Sequence, residues 1–183
     1  MNKITPLFFF LMCILGYAQE ENRIIARQGQ VSFFSYTAVE NIEATNNQVL
    51  SIINLEDNRI AVNMLMRAFV FKKALMEEHF NESYVESDIY PKLQFEGKIP
   101  DFDASLEGTQ TKVVKGNMTF HGITKDVGIK TKIENVDDRY ILSGEFEVGI
   151  VDYDIKVPAL LARNIAKIIK IKFRFEYEPY EEQ

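Results

Sequence analysis

Apolar residues recur at every second position through much of the chain. Ile169, Ile171, Phe173, Phe175 and Tyr177 share one face of a segment whose other face is Lys170, Lys172, Arg174, Glu176 and Glu178. Tyr140, Leu142, Gly144, Phe146 and Val148 alternate with Ser143, Glu145 and Glu147, and Val127, Ile129, Thr131 and Ile133 with Gly128, Lys130 and Lys132. Earlier, Ile60, Val62, Met64 and Met66 form one such row and Leu93, Phe95, Gly97 and Ile99 another. A period of two with one apolar and one charged face marks antiparallel strands, rather than the doubly covered parallel sheets of nucleotide-binding folds. Residues 30–36, 49–55 and 113–121 raise the number of strands to about eight, which closes into a barrel with room for side chains or one small ligand. Turn-forming residues separate them at 56–58, at 121–124 and at 135–138.

Two stretches leave this period. Residues 72–84 place Met76, Phe80 and Tyr84 on one helical stripe beside Leu75 and His79. Pro158 suits the first turn of a second short helix, in which Leu161, Ile165 and Ile168 align. The expected fold is therefore mainly β: a lipocalin-like antiparallel eight-stranded β-barrel with one or two short helices. An outer-membrane barrel has the same alternation turned inside out, but carries no amphipathic helix between its strands.

The chain begins with Lys3, an apolar run over residues 4–15 and the end Gly16, Tyr17, Ala18. This is the pattern of a cleaved signal peptide, residues 1–18, with a single domain at 19–183 and a periplasmic or extracellular destination. The sole cysteine, Cys13, lies inside this segment, so the exported chain has no disulfide and no thiol nucleophile. The formal net charge is −6, and the balance argues against nucleic acid and anionic membrane surfaces as partners.

The run Tyr90, Pro91, Lys92, Leu93, Gln94, Phe95, with Gly97 and Ile99 after it, resembles the Tyr-Pro-x-Ile-x-Phe signature of the YceI-like family of exported bacterial lipid-binding proteins. Residues 116–127, which include Thr119, His121, Gly122, Ile123, Thr124 and Lys125, resemble that family's Gly-x-Leu-Thr-x-x-Gly-Val-Thr-Lys-x-Val hairpin. The resemblance implies a barrel whose interior holds a polyisoprenoid or another long amphiphile. The chain departs from the family at Ser35, Tyr36 and the polar stretch 40–48. It departs again at the Glu78-His79-Phe80-Asn81-Glu82 run, which marks a divergent subgroup.

Candidate chemistry is sparse. His79 and Glu82 are spaced for one metal, but a site needs three or four ligands and the other histidine, His121, lies in a distant hairpin. Asp152, Tyr153 and Asp154 read as a turn before they read as a cation site. The expectation is thus no catalytic residue, no metal and no cofactor. The expected ligand-lining residues are Ile60, Val62, Met64, Met66, Phe95, Met118, Phe120, Val127, Ile129, Leu142, Phe146, Ile171, Phe173 and Phe175. His79, Asn81 and Tyr84 are expected at the pocket mouth, where a helix interrupts the sheet.

Whether the interior is hollow or filled stays open at this level. Gly97 and Gly144, on the inward parity, point to a cavity, as do the adaptable Met64, Met66 and Met118. The function that follows is non-catalytic binding of a long apolar or amphiphilic ligand, such as a polyisoprenoid, an isoprenoid quinone or a fatty-acid-like lipid, by a carrier or sequestering protein. The alternative is an envelope protein–protein interaction module with a solid barrel. A homodimer and a membrane partner are left open.

Overall fold

A computed structural model describes residues 22–137 and 139–181. The expected signal peptide, Cys13 and the last two residues lie outside them. Nine strands follow in chain order: β1 (Arg23–Tyr36), β2 (Asn41–Asn54), β3 (Arg59–Leu65), β4 (Val70–Phe71), β5 (Lys92–Lys98), β6 (Gly108–Phe120), β7 (Ile123–Val136), β8 (Arg139–Gly149) and β9 (Ile168–Pro179). All pairings are antiparallel. The order β1-β9-β8-β7-β6-β5-β3-β2 closes on itself through β1 and β2, which makes an eight-stranded barrel, and the two-residue β4 is appended to β2. The apolar rows face inward. The outer face carries ion pairs such as Lys170–Glu145, Lys132–Glu134 and Arg174–Glu176, the reverse of a lipid-facing wall.

The strands run further than their alternation suggests, and the polar stretch 40–48 is itself part of β2. Its register breaks near Gly29 and Val49, where β1 and β2 slip past one another. Ile42, Ala44 and Asn46 point inward before the slip, and Val49, Ser51 and Ile53 after it. One irregularity reverses the parity, so no single row of alternation spans the strand. Asn46 stitches the break. Its buried amide Nδ2 donates to the Leu65 carbonyl at 2.9 Å, and its Oδ1 accepts the Gln48 N–H at 2.8 Å.

Residues 72–84 are helical in two parts. A single α-helix, α1 (Ala74–His79), passes into a wider π turn over Phe80–Tyr84. Such turns rotate the side chains that follow them. Here Phe80 and Tyr84 stay against the barrel and Val85 enters the core. The second expected helix is reduced to a single 3-10 turn, Ala159–Leu161, after Pro158. Residues 158–164 make successive tight turns, with Leu161 N–H to Pro158 O, Ala162 N–H to Ala159 O and Asn164 N–H to Leu161 O, and Ile168 already belongs to β9. The segment is held instead from outside by the Ala166 N–H, which donates to Ser35 Oγ at 2.9 Å.

The two ends of the barrel differ. At one end lie the connections 55–58 and 99–107. At the other lie 37–40, the long crossing 66–91, the tight turn at His121 and Gly122, and the connection 150–167. The first end is plugged. Phe102 packs edge-on to Tyr140 with ring centroids 6.4 Å apart, and the Tyr140 hydroxyl donates to the Ala104 carbonyl at 2.9 Å. Asn58 Nδ2 donates to the Phe102 carbonyl at 2.8 Å and ties the plug to the β2–β3 turn.

Candidate functional site

Inward-facing residues separate into two populations along the barrel axis. Near the plugged end Ile53, Ile133, Leu142 and Ile99 are fully buried, and Tyr177 Oη meets Ser51 Oγ at 2.7 Å in the dry interior. Burial pushes the Tyr177 phenol well above its ordinary value, and the Ser51 hydrogen bond offsets only part of that. Towards the other end Val62, Leu93, Phe120, Phe146, Val148, Ile169, Ile171 and Phe173 face inward and are only half-buried. Apolar side chains that face inward yet are left half-exposed line a void. The void is a cavity of about 240 Å³. The barrel is therefore solid in one half and hollow in the other.

Non-barrel segments wall the hollow half. The helical crossing contributes Met76, His79, Phe80, Tyr84 and Val85, and the β8–β9 connection contributes Ile155, Val157, Leu161, Asn164 and Ile165. Phe80 anchors the crossing. It stacks on Phe33 of β1 with centroids 5.3 Å apart, and sits 5.6 Å from Phe69 and 5.0 Å from Phe71. Such pairs are worth about 0.5–1.5 kcal/mol each beyond the area they bury.

Of the residues expected to line a ligand site, Ile60, Val62, Met64, Met66, Phe95, Met118, Phe120, Ile129, Leu142, Phe146, Ile171, Phe173 and Phe175 all face this cavity. Val127 does not: it packs against the core from a position outside the cavity wall. His79 and Tyr84 reach the cavity from the helical crossing, but Asn81 is turned away from it. The Asn81 Nδ2 donates to the Glu77 carbonyl at 2.9 Å, one turn back, and its buried Oδ1 has no partner among the described residues.

Neither Gly97 nor Gly144 opens onto empty space, contrary to what their inward parity suggests. A Cβ on Gly144 would lie 2.8 Å from the Phe173 ring and 2.8 Å from the Lys130 carbonyl, and one on Gly97 would meet the Phe95 ring at 2.7 Å. Both glycines are covered by a neighbouring aromatic ring, not by open space. The pairing is Gly144 with Phe173 across β8 and β9, an arrangement in which a ring takes up the side-chain space that a strand glycine leaves.

Polar groups at the cavity are few. Ser35 Oγ is engaged by Ala166, Thr131 Oγ1 donates to the Lys112 carbonyl, and Glu40 pairs with Lys73 at 2.9 Å. The Tyr84 hydroxyl and the His79 imidazole make no hydrogen bond among the described residues, and partial burial raises the Tyr84 phenol above its ordinary value. Apart from these and Asn164, the side chains of the wall offer hydrocarbon and aromatic surface.

The alternation in the strands did not reveal Phe33, Ile42, Phe69 and Phe71, which also wall the cavity. The apolar spacing of Phe33 and Phe71 is visible in the sequence, but the parity reversal in β2 and the brevity of β4 hide which face they share. No group of three or more His, Cys, Asp or Glu side chains is placed to hold a metal among the described residues. Asp152 and Asp154 pair with Lys125 and Lys156 around the tight turn Ile150–Tyr153, and they do not converge on a cation site.

Solved structures share this architecture. A polyisoprenoid binding domain from Saccharophagus degradans superposes with a TM-score of 0.75 at 12% identity, over 87% of this chain and 99% of its own. Burkholderia cenocepacia BcnA gives 0.69 at 13% identity, over 82% of this chain and 96% of its own. The Campylobacter jejuni YCEI protein gives 0.62 at 12% identity, over 80% and 90%. No curated protein matches in sequence. The model of the YceI-like domain matches residues 23–177, from the first strand of the barrel to the last, and the chain belongs to that family.

Proposed function

We propose that the hollow half of the barrel binds one long apolar or amphiphilic molecule, such as a polyisoprenoid, an isoprenoid quinone or a fatty-acid-like lipid, in a protein that carries or sequesters it without chemistry. The observation that carries this reading is the pairing of a void with inward apolar side chains that are left half-exposed around it. Burial of a chain against them is worth about 0.8 kcal/mol per CH₂. The polyisoprenoid binding domain from Saccharophagus degradans, which shares the fold, supports the same ligand class. Tyr84 and His79, the polar groups without partners at the helical wall, would take up the head group. A carrier of this kind works outside the cytoplasm, in keeping with the signal expected at residues 1–18.

The non-catalytic part of the proposal rests on the chemistry of the walls. Among the described residues only Glu40, His79 and Tyr84 bring an ionisable group to the cavity, and Glu40 is held by Lys73. Neither of the others has a hydrogen-bonded partner to orient it, as a general base or nucleophile requires. Native mass spectrometry of the purified protein, followed by organic extraction, tests the proposal. A co-purifying lipid released by solvent is expected. An empty protein that takes up no added long-chain lipid would refute the reading.

A further inference from the structure

The connection between β8 and β9 carries a charge that the whole-chain balance conceals. From Ile155 to Phe175 the chain has Lys156, Arg163, Lys167, Lys170, Lys172 and Arg174 and not one acidic residue, in a protein whose net charge is −6. On the strand the cations are engaged: Lys170 pairs with Glu145, Arg174 with Glu176, and Lys172 lies over the Phe34 ring. On the connection itself Arg163 and Lys167 are exposed and have no acidic partner among the described residues. On either side of this pair in the chain stand Leu160, exposed at 91% and the most exposed of the large apolar side chains described, and Ile168 at 58%.

The neighbouring hairpin continues this face. Ser35 of β1 binds the Ala166 N–H, and just beyond it Tyr36 and Val39 are also exposed. The hairpin's carboxylates, Glu40 and Glu43, are already neutralised by Lys73 and Lys72. The other wall segment differs, for Glu78 and Glu82 stand exposed on it. The cationic, apolar character is thus confined to the side formed by residues 155–168 and the β1–β2 hairpin. Leu161 and Ile165 of the same connection turn inward and line the cavity, so this face is continuous with the cavity wall.

We propose that this face docks on an anionic phospholipid surface, with Leu160 and Ile168 inserted among the acyl chains and Arg163 and Lys167 against the phosphates. Exposed leucine and isoleucine flanked by unpaired cations are the composition that binds the membrane interface, where apolar burial and attraction to anionic lipid add. A protein partner would need acidic complementarity and a shaped apolar receptor. A bilayer supplies both without shape. The docking goes beyond ligand binding and does not depend on the cavity being filled.

The test is co-sedimentation of the whole protein with vesicles of phosphatidylcholine mixed with phosphatidylglycerol, and with vesicles of phosphatidylcholine alone. Binding to the anionic vesicles, weakened by added salt, is expected. Arg163→Gln and Lys167→Gln should each lower the affinity about fivefold, and Leu160→Asp about tenfold or more, with each variant's melting temperature and uptake of a fluorescent fatty acid unchanged. Protein that stays in the supernatant, or that binds both kinds of vesicle alike and without regard to salt, overturns the proposal. So does a Leu160→Asp variant that binds vesicles normally but turns a dimer into a monomer in sedimentation, since the face would then belong to a second copy. Wild-type protein that binds anionic vesicles but takes up no fatty acid would rule out a fatty-acid-like guest and still support docking.

Discussion

The buried imidazole of His121 bridges two segments that enclose the cavity: its Nδ1 lies 2.9 Å from the Tyr153 carbonyl and its Nε2 lies 3.1 Å from Glu86 Oε2. A carbonyl only accepts, so Nδ1 donates. The carboxylate accepts from Nε2 when that nitrogen also carries a proton. The ring is fixed from the side by Tyr90, with centroids 4.4 Å apart. Both His121 and Glu86 adopt the left-handed conformation, with φ of 50° and 45°, which ordinary side chains rarely take unless their surroundings hold them there. The bridge ties the end of the helical crossing to the start of the β8–β9 connection.

Cutting that bridge is expected to loosen the crossing more than the barrel. Glu86→Ala leaves a buried ring nitrogen unpaired and should cost about 1 kcal/mol, since Glu86 is itself half-exposed and water can replace part of the contact. Glu86→Gln, whose amide can donate to a neutral Nε2, should recover most of it. Hydrogen exchange should show faster opening over residues 80–90 in the alanine variant, with the amides of β7 and β8 unchanged. Uniform acceleration across the barrel would contradict this.

At the plugged end, Tyr177→Phe should cost about 1–3 kcal/mol because it leaves the buried Ser51 hydroxyl without a partner. The double variant Ser51→Ala, Tyr177→Phe should lose less than the sum of the two single changes. The pH dependence has a definite sign. A phenol raised in the folded state holds its proton there while the unfolded chain releases it. Stability is therefore complete below the ordinary tyrosine value of 10.0 and declines as pH rises beyond it. Urea unfolding should show a shallower alkaline decline in Tyr177→Phe than in the wild type.

Filling the hollow half should separate ligand binding from stability. Val148 faces the cavity and is only half-buried, so Val148→Trp places its ring in empty space. The stripped variant should melt within a few degrees of the wild type. The stabilisation given by a bound lipid, about 2.7 kcal/mol at a hundredfold excess over Kd, should vanish. A stripped variant that loses 1–3 kcal/mol, as an overpacked core would, contradicts a hollow interior at this position.

Gly144→Ala should destabilise the protein whether or not ligand is present. The new methyl group meets the Phe173 ring, which can move, and the Lys130 carbonyl, which belongs to the backbone and yields less. A cost of about 1–3 kcal/mol that is equal in the stripped and loaded protein is expected from paired denaturation curves. A ligand-dependent difference would put Gly144 on the binding surface.

The strands from β5 onward were legible because each keeps one inward parity from end to end. Leu142 and Phe146, or Ile171 and Phe175, lie on the face that the alternation assigns to them. In β1 and β2 a slip of register reverses the parity part of the way along, and the polar stretch before Val49 no longer reads as a strand. The stripe of Leu161, Ile165 and Ile168 suggests one helix but arises from two elements, a 3-10 turn and the start of β9. Part of the cavity wall, thirteen residues from Ile60 to Phe175, follows from parity. The inward position of a glycine does not show which ring covers it, since that depends on the rotamer of a neighbour, Phe95 on the same strand for Gly97 and Phe173 on the next strand for Gly144. Nor could parity assign Asn81, whose direction follows from the widened turn at Phe80–Tyr84.

The solid half of the barrel has a consequence for which molecules fit. Leu142 and Phe175 line the deep end of the cavity, and Ile133, Tyr177 and Ser51, towards the plugged end, are buried outside its lining. The interior is a blind well, not a tunnel. A chain bound there, as proposed, would enter and leave by the same end, and the floor would measure it: links beyond the depth of the well would double back or stay outside among the segments at that end. The well thus sets an upper bound on the enclosed length whatever the total length of the guest, and a smaller side chain at Leu142 or Phe175 would deepen it.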